Sequence, residues 1–283
     1  MQKISQATEN SSALPPVPLP YSYLDFIGRK LFLFLETLHG LSAFLLITLA
    51  VAVTKFKTAR NVIHPLIHTQ IYRAGLRLLP MITFLGCALG LVIVGQTVFL
   101  LQKFGEQNFS GTIMVTVVVR ELGPIITALV VLARVGTATV IELGTARALG
   151  EVEALEALSI DPIHYLVVPR VIGMAISIFA LTVYLILIAL VSGYLFAFLE
   201  DVPLLPSEYF SQLASALMWQ DFLLLALKTF CFGILIAVVT SYEGLAQPLR
   251  LEDVAGATTR AVAYCVIAAV FLDALFIIVY LVI

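Results

Sequence analysis

Four ionisable side chains lie inside stretches too apolar for water: Arg120, Glu121, Lys228 and Asp273. An unpaired charge at the centre of a bilayer costs ~2.5–3.5 kcal/mol on an insertion scale, so such residues pair with one another or line a substrate or ion path. Counted inward from the ends of their apolar stretches near residues 112, 221 and 283, they lie 7 to 10 residues deep. That is roughly 10–15 Å at helical rise. Two positive and two negative charges at one depth on three helices predict a neutral cluster facing the bundle interior. Such a cluster fixes helix register, or it forms a gate beside Pro124, whose ring displaces the carbonyl of residue 120 and weakens the helix there. A third chemistry is a proton relay through Glu121 or Asp273 in a secondary transporter. An intramembrane hydrolase would need paired carboxylates free to react, and here each has a basic residue at its own depth.

Other reactive patterns are weak. His64 and His68 have the i, i+4 spacing of a helical metal pair, but Pro65 interrupts them and no third ligand is near, so no metal site is predicted. No GxxxxGK[ST] phosphate loop, HExxH motif or Ser, His and Asp set occurs, so the chain does not itself hydrolyse ATP by the phosphate-loop route and reads as a non-enzyme. Cys87, Cys231 and Cys265 are isolated in apolar runs and read as small core residues. In the segment 141–162, Leu149, Val152, Leu155 and Leu158 recur at helical spacing among Glu151, Glu153 and Glu156, with Asp161-Pro162 as a stop. This predicts a short amphipathic helix outside the membrane, about 143–160. Its acidic face would be repelled by anionic headgroups, which favours a docking surface for a soluble protein over a connector lying on the bilayer.

The elements that must position these residues are membrane helices. Of 283 residues 61% are hydrophobic and 12% charged, and the mean hydropathy is +1.05. A helix needs ~20 apolar residues to cross a core of ~30 Å, and stretches at about 78–101, 112–140, 166–199, 221–242 and 260–283 meet that length. The expectation is an all-α integral membrane protein: five transmembrane helices preceded by an N-terminal interfacial or re-entrant helix at about 23–53, in one domain over 21–283. Gly86, Gly90 and Gly95 mark a face of the first span that another backbone approaches closely. Residues 1–20, rich in Ser, Pro, Asn and Gln, read as a disordered tail. Lys and Arg cluster before the first span and in the 143–170 and 243–260 loops, whereas 102–111 holds only Lys103 and 200–220 has none. Retention of basic residues inside therefore makes the first three segments and the N-terminus cytoplasmic. If residues 31–53 crossed, Arg29 and Lys30 would lie outside, so they are read as non-crossing. A net charge of -2 gives no reason to expect nucleic acid as a partner.

The motifs Arg120-Glu121-Leu122-Gly123-Pro124, Ala133-Arg134-Val135-Gly136-Thr137-Ala138, Glu142 with Ala146-Arg147-Ala148, Asp161-Pro162, Val168-Pro169-Arg170, Ala257-Thr258-Thr259-Arg260 and Leu272-Asp273 run in one order over residues ~70–283. In this the chain resembles the MlaE-type permeases of MCE-associated ABC transporters, which move lipids between membranes. Gly256 departs from it, since members often carry a basic residue there. The resemblance implies a homodimer in a bacterial inner membrane, an MCE-domain lipid-binding protein on the outer face and a phospholipid substrate. It implies two cytoplasmic ATPases, which hold the ATP, docked on the amphipathic segment through Glu142, Arg147, Leu149, Glu151, Val152, Leu155 and Glu156; this chain needs no cofactor. It also implies a lipid pocket between the subunits lined by Ile93, Gln96, Leu100, Leu101 and Phe104, and a polar layer at Arg120, Glu121, Lys228 and Asp273.

Overall fold

The computed structural model describes residues 19–55, 60–104, 110–199, 206–245 and 250–282, all in helices or the short turns between them. Most of the tail expected at 1–20 lies outside this range, but Leu19 and Pro20 already belong to the first helix. Apolar sequence that must satisfy its own backbone hydrogen bonds in lipid has only the helix open to it when no closed barrel forms. Among the described residues, six helical stretches are long and apolar enough to cross a membrane: Glu36–Thr54, Ile63–Thr97, Gly111–Ala148, Ile163–Phe196, Trp219–Leu245 and Leu251–Val282. Each of the last five overlaps one of the five spans read from the sequence.

Helix α1 (Leu19–Lys55) is unbroken over 37 residues. Glu36, His39 and Gly40 do not interrupt it. The chain divides into two compact units, one ending at Phe44 and the other running from Leu45 to Ile283. Every candidate site residue belongs to the second unit.

That second unit continues with α2 (Arg60–Ala74), α3 (Leu79–Leu89) and α4 (Gly95–Phe104), then α5 (Ser110–Met114), α6 (Gly123–Val131), α7 (Thr137–Ala148) and α8 (Glu151–Ala157). It ends with α9 (Val168–Leu199), α10 (Pro206–Ala216), α11 (Trp219–Leu245) and α12 (Val254–Val282). Helix α11 is the centre: it packs on α7, α9 and α12 and buries Lys228, Phe232, Ile236 and Thr240. Phe271 and Leu281 on α12 stay exposed, as lipid-facing positions do.

Wide π-helical turns join several of these pieces, at Gly90–Val94, Val115–Leu122, Leu132–Gly136 and Ile163–Val167. Two of them end two residues before a proline, Pro124 and Pro169. Proline has no N–H to give and its ring collides with the carbonyl four residues back. The chain answers by widening the preceding turn, so that the Gly123 N–H reaches the Val118 carbonyl, five residues back.

The amphipathic helix expected at about 143–160 is two pieces. Gly150 takes a left-handed φ of 77° and ends α7, its N–H donating to the Arg147 carbonyl at 3.1 Å. Only the seven residues of α8 follow as a helix.

Close packing of α3 on α9 depends on missing side chains, as the glycine spacing predicted. A Cβ at Gly86 would lie 2.9 Å from Ile188 Cγ2, and one at Gly90 would run into Ser192 Oγ and the Ala189 carbonyl. Because a backbone group cannot rotate away, Gly90→Leu is expected to cost at least the ~1–3 kcal/mol of an overpacked core. The thermal midpoint of the purified chain in detergent measures this, with Gly256→Ala, which meets only Arg260 Nη1 at 3.7 Å, as the neutral control.

Candidate functional site

Lys228 lies on the buried face of α11 with its side chain 0% exposed. Its Nζ lies 2.9 Å from Glu121 Oε2 and 2.7 Å from Asp273 Oδ1, and it donates to the Arg120 carbonyl at 3.0 Å. That carbonyl is the one whose α-helical donor would have been the N–H of residue 124, which proline lacks. An ammonium has three hydrogens. Here two are donated, to Glu121 and to the Arg120 carbonyl, and Asp273 of α12 completes the site as an ion-pair partner.

The Arg120 side chain, unlike its carbonyl, is not part of this group. Its Nε lies 2.9 Å from Asp221 Oδ1, its Nη2 donates to Asp221 Oδ2 at 3.3 Å, and its guanidinium carbon stands 5.2 Å from the centre of the Tyr280 ring. Asp221 is 3% exposed and also accepts the Met218 N–H at 2.9 Å, in the first turn of α11 where the helix dipole favours a carboxylate. The neutral four-residue cluster read from the sequence is therefore corrected: Arg120 and Lys228 face three carboxylates, those of Glu121, Asp221 and Asp273, in two layers. Asp221 was taken as the mere end of a span. The missed signal was spacing, since Asp221 is seven residues from Lys228 and Tyr280 seven from Asp273, two turns along one helix face in each case.

At the arginine-rich end of the bundle, Glu142 Oε1 lies 3.4 Å from Arg73 Nη1 and its Oε2 3.1 Å from Arg170 Nη2. Arg170 is buried and also donates to the Leu166 carbonyl at 2.7 Å. Arg147 Nε pairs with Glu153 at 3.3 Å across the Gly150 break. Glu142 and Arg147, expected to face a partner, are thus engaged within the chain: the first ties α2, α7 and α9 together, the second holds α8 against α7. Val152 is also turned inward, 2% exposed. Glu151, Glu156 and Leu149 remain exposed and Leu155 half-buried. Ala146, Glu151, Val152, Leu155, Leu158 and Tyr165 are among the residues lining a groove of about 280 Å³ along α8.

The residues expected to line a lipid pocket divide in the same way. Gln96, Leu100 and Phe104, four apart, share an exposed face of α4, Leu100 and Phe104 being 50% and 75% exposed. Leu101 is half-buried. Ile93 instead packs inward against the core of Met114, Val118, Ile186 and Leu225. That core is closed by α10, where Tyr209 donates to the Leu190 carbonyl at 3.1 Å and burial pushes its phenol far above the usual range.

A polytopic all-helical bundle, with its buried charges paired internally and an exposed acidic helix at one end, has the build of the membrane-spanning subunit of an ABC transporter. Its sequence matches the family described as Permease MlaE over residues 67–279. A probable ABC transporter permease of Rickettsia prowazekii is 32% identical over 197 residues, covering 70% of this chain and 76% of that one. The intermembrane phospholipid transport system permease protein MlaE of Haemophilus influenzae is 26% identical over 210 residues, covering 74% and 80%. A probable ABC transporter permease of a Synechocystis species is 33% identical over 170 residues, covering 58% and 62%. The chain belongs to the MlaE permease family.

Removing one partner of a buried ion pair costs ~3–5 kcal/mol because the other is left uncompensated. Lys228→Met strands two carboxylates and a carbonyl, so its thermal midpoint in detergent is expected to fall further than that of Glu121→Gln, which leaves Lys228 two acceptors. Equal midpoints for the two variants would contradict this geometry.

Proposed function

We propose that this chain is the permease subunit of an ATP-driven phospholipid transporter, in which a separate cytoplasmic ATPase hydrolyses ATP. The observation that carries the reading is the α8 groove, an apolar slot with exposed Glu151, Glu153 and Glu156 beside it, projecting from the arginine-rich end beyond the apolar spans. By the basic-residue rule this end is cytoplasmic and the N-terminus with it. Apolar residues in a groove flanked by charge are what a soluble partner recognises, and a bilayer with anionic headgroups repels.

The lipid part of the reading rests on the name of the Haemophilus relative and on the exposed face of Gln96, Leu100 and Phe104. In a homodimer these faces would enclose a pocket whose apolar walls suit acyl chains. An MCE-domain protein would meet that pocket at the outer face of a bacterial inner membrane. Transport then requires only that ATP on the partner favour one of two conformations with different lipid affinity. The other reading, a proton-coupled transporter using Glu121 or Asp273, fits less well, because Lys228 already holds both carboxylates.

Glu151→Lys combined with Leu155→Asp is expected to release the ATPase from the purified complex, with at least about tenfold weaker retention. Retained ATPase together with normal lipid transfer would overturn the docking role of α8.

A further inference from the structure

A cavity of about 520 Å³ opens at the arginine-rich end between α2, the turn into α3, and the helix from Ala133 to Glu142. Its lining includes Gln70, Arg73, Arg77, Arg134 and Glu142. Three guanidiniums against one carboxylate leave a formal charge of +2. Glu142 is already taken by Arg73 and by Arg170. Arg77 and Arg134 are exposed and make no ion pair or hydrogen bond among the described residues.

Their level in the membrane says what an anion there would be. The helical run Gly111–Ala148 crosses a hydrocarbon core in ~20 residues. Counted from Gly111 this ends near residue 131, three residues before Arg134. Arg77 stands just before α3, where the first span begins. Both guanidiniums therefore lie where hydrocarbon gives way to headgroups.

From Arg77 the exposed face of α3 continues through Met81 and Phe84, at i+4 and i+7, and these are 46% and 74% exposed. The cationic cleft thus opens onto an apolar track that runs toward the membrane interior. A soluble anion would use the guanidiniums alone; a diacyl lipid would use both. A second copy of this chain is a poor occupant, since a two-fold contact through this cleft would set +2 against +2.

We propose that this cleft is a second lipid site, which seats the phosphate headgroup of an anionic phospholipid from the leaflet at the arginine-rich end. The forks of Arg77 and Arg134 engage the phosphate oxygens, and the acyl chains lie on Met81 and Phe84. The site stands apart from the pocket at Gln96, Leu100 and Phe104 and from the α8 groove. Its test involves neither.

The chain is reconstituted in nanodiscs of phosphatidylcholine containing a trace of lipid with a photoreactive headgroup, either phosphatidylglycerol-based or phosphatidylcholine-based, and cross-links are mapped by mass spectrometry. The anionic probe is expected to label residues 70–78 and 133–142 at least about tenfold more than the zwitterionic one, the factor a difference of ~1.4 kcal/mol produces. Arg77→Gln with Arg134→Gln is expected to bring this labelling to the zwitterionic level, while Arg250→Gln leaves it intact and millimolar inorganic phosphate does not displace it. Equal labelling by both probes, labelling that survives the double substitution, or displacement by inorganic phosphate would each overturn the proposal, the last by identifying a soluble anion as the occupant. Should the double variant not fold, the comparison of the two probes on the unaltered chain still decides.

Discussion

One fully buried ammonium organises the membrane-embedded part of this protein. Lys228 donates to Glu121 and to the Arg120 carbonyl and forms an ion pair with Asp273. Two separate problems are solved by the same side chain. A proline in a membrane helix leaves a carbonyl without its donor, and a carboxylate in hydrocarbon lacks a counter-charge; both defects cost several kcal/mol if left alone. Placed at residue 228 on the central helix, a lysine reaches the carbonyl that Pro124 vacates and the two carboxylates on either side. The relative register of the helix carrying Glu121, of α11 and of α12 is set by those three contacts, because a slip of one residue would point at least one charge into lipid.

The helix from Ser110 to Ala148 is pinned at two levels. Near one end it is held through Glu121 to Lys228 and through Arg120 to Asp221, and near the other through Glu142 to Arg73 and Arg170. Glu142 follows Glu121 by 21 residues, ~30 Å at helical rise. The wide turn Leu132–Gly136 falls inside that interval and Val115–Leu122 covers its start. Such turns hold their hydrogen bonds less regularly than an α-helix and often mark functional positions. The Arg147–Glu153 pair then joins the second anchor to α8.

The sequence made the all-helical membrane class and the buried charges of Arg120, Glu121, Lys228 and Asp273 legible, because hydropathy and the cost of an unpaired charge act residue by residue. Asp221 escaped notice because it sits at the edge of an apolar run, where a carboxylate needs no special explanation; only its seven-residue spacing from Lys228 reveals the shared face. The fate of Glu142 and Arg147 was illegible for another reason. Both are half-exposed polar residues, and whether such a group faces a partner or a neighbouring helix depends on tertiary placement that spacing does not encode. The break at Gly150 was visible as a glycine, yet the apolar repeat through Leu149, Val152, Leu155 and Leu158 argued for one helix. Backbone capping at Gly150 prevailed over periodicity, since a left-handed residue ends the α7 hydrogen-bond ladder.

The account rests on a direct interaction between Lys228 and the carboxylates of two other helices. A double-mutant cycle of Lys228→Met with Asp273→Asn, read from reversible unfolding of the chain in mixed micelles, measures that interaction without reference to transport. Contacting residues in one buried network couple by ~0.5–3 kcal/mol, and the 2.7 Å separation of Nζ from Oδ1 places this pair in the upper part of that range. Additive effects of the two substitutions would mean that the charges do not meet in the membrane, and the account of the bundle built on them would fail.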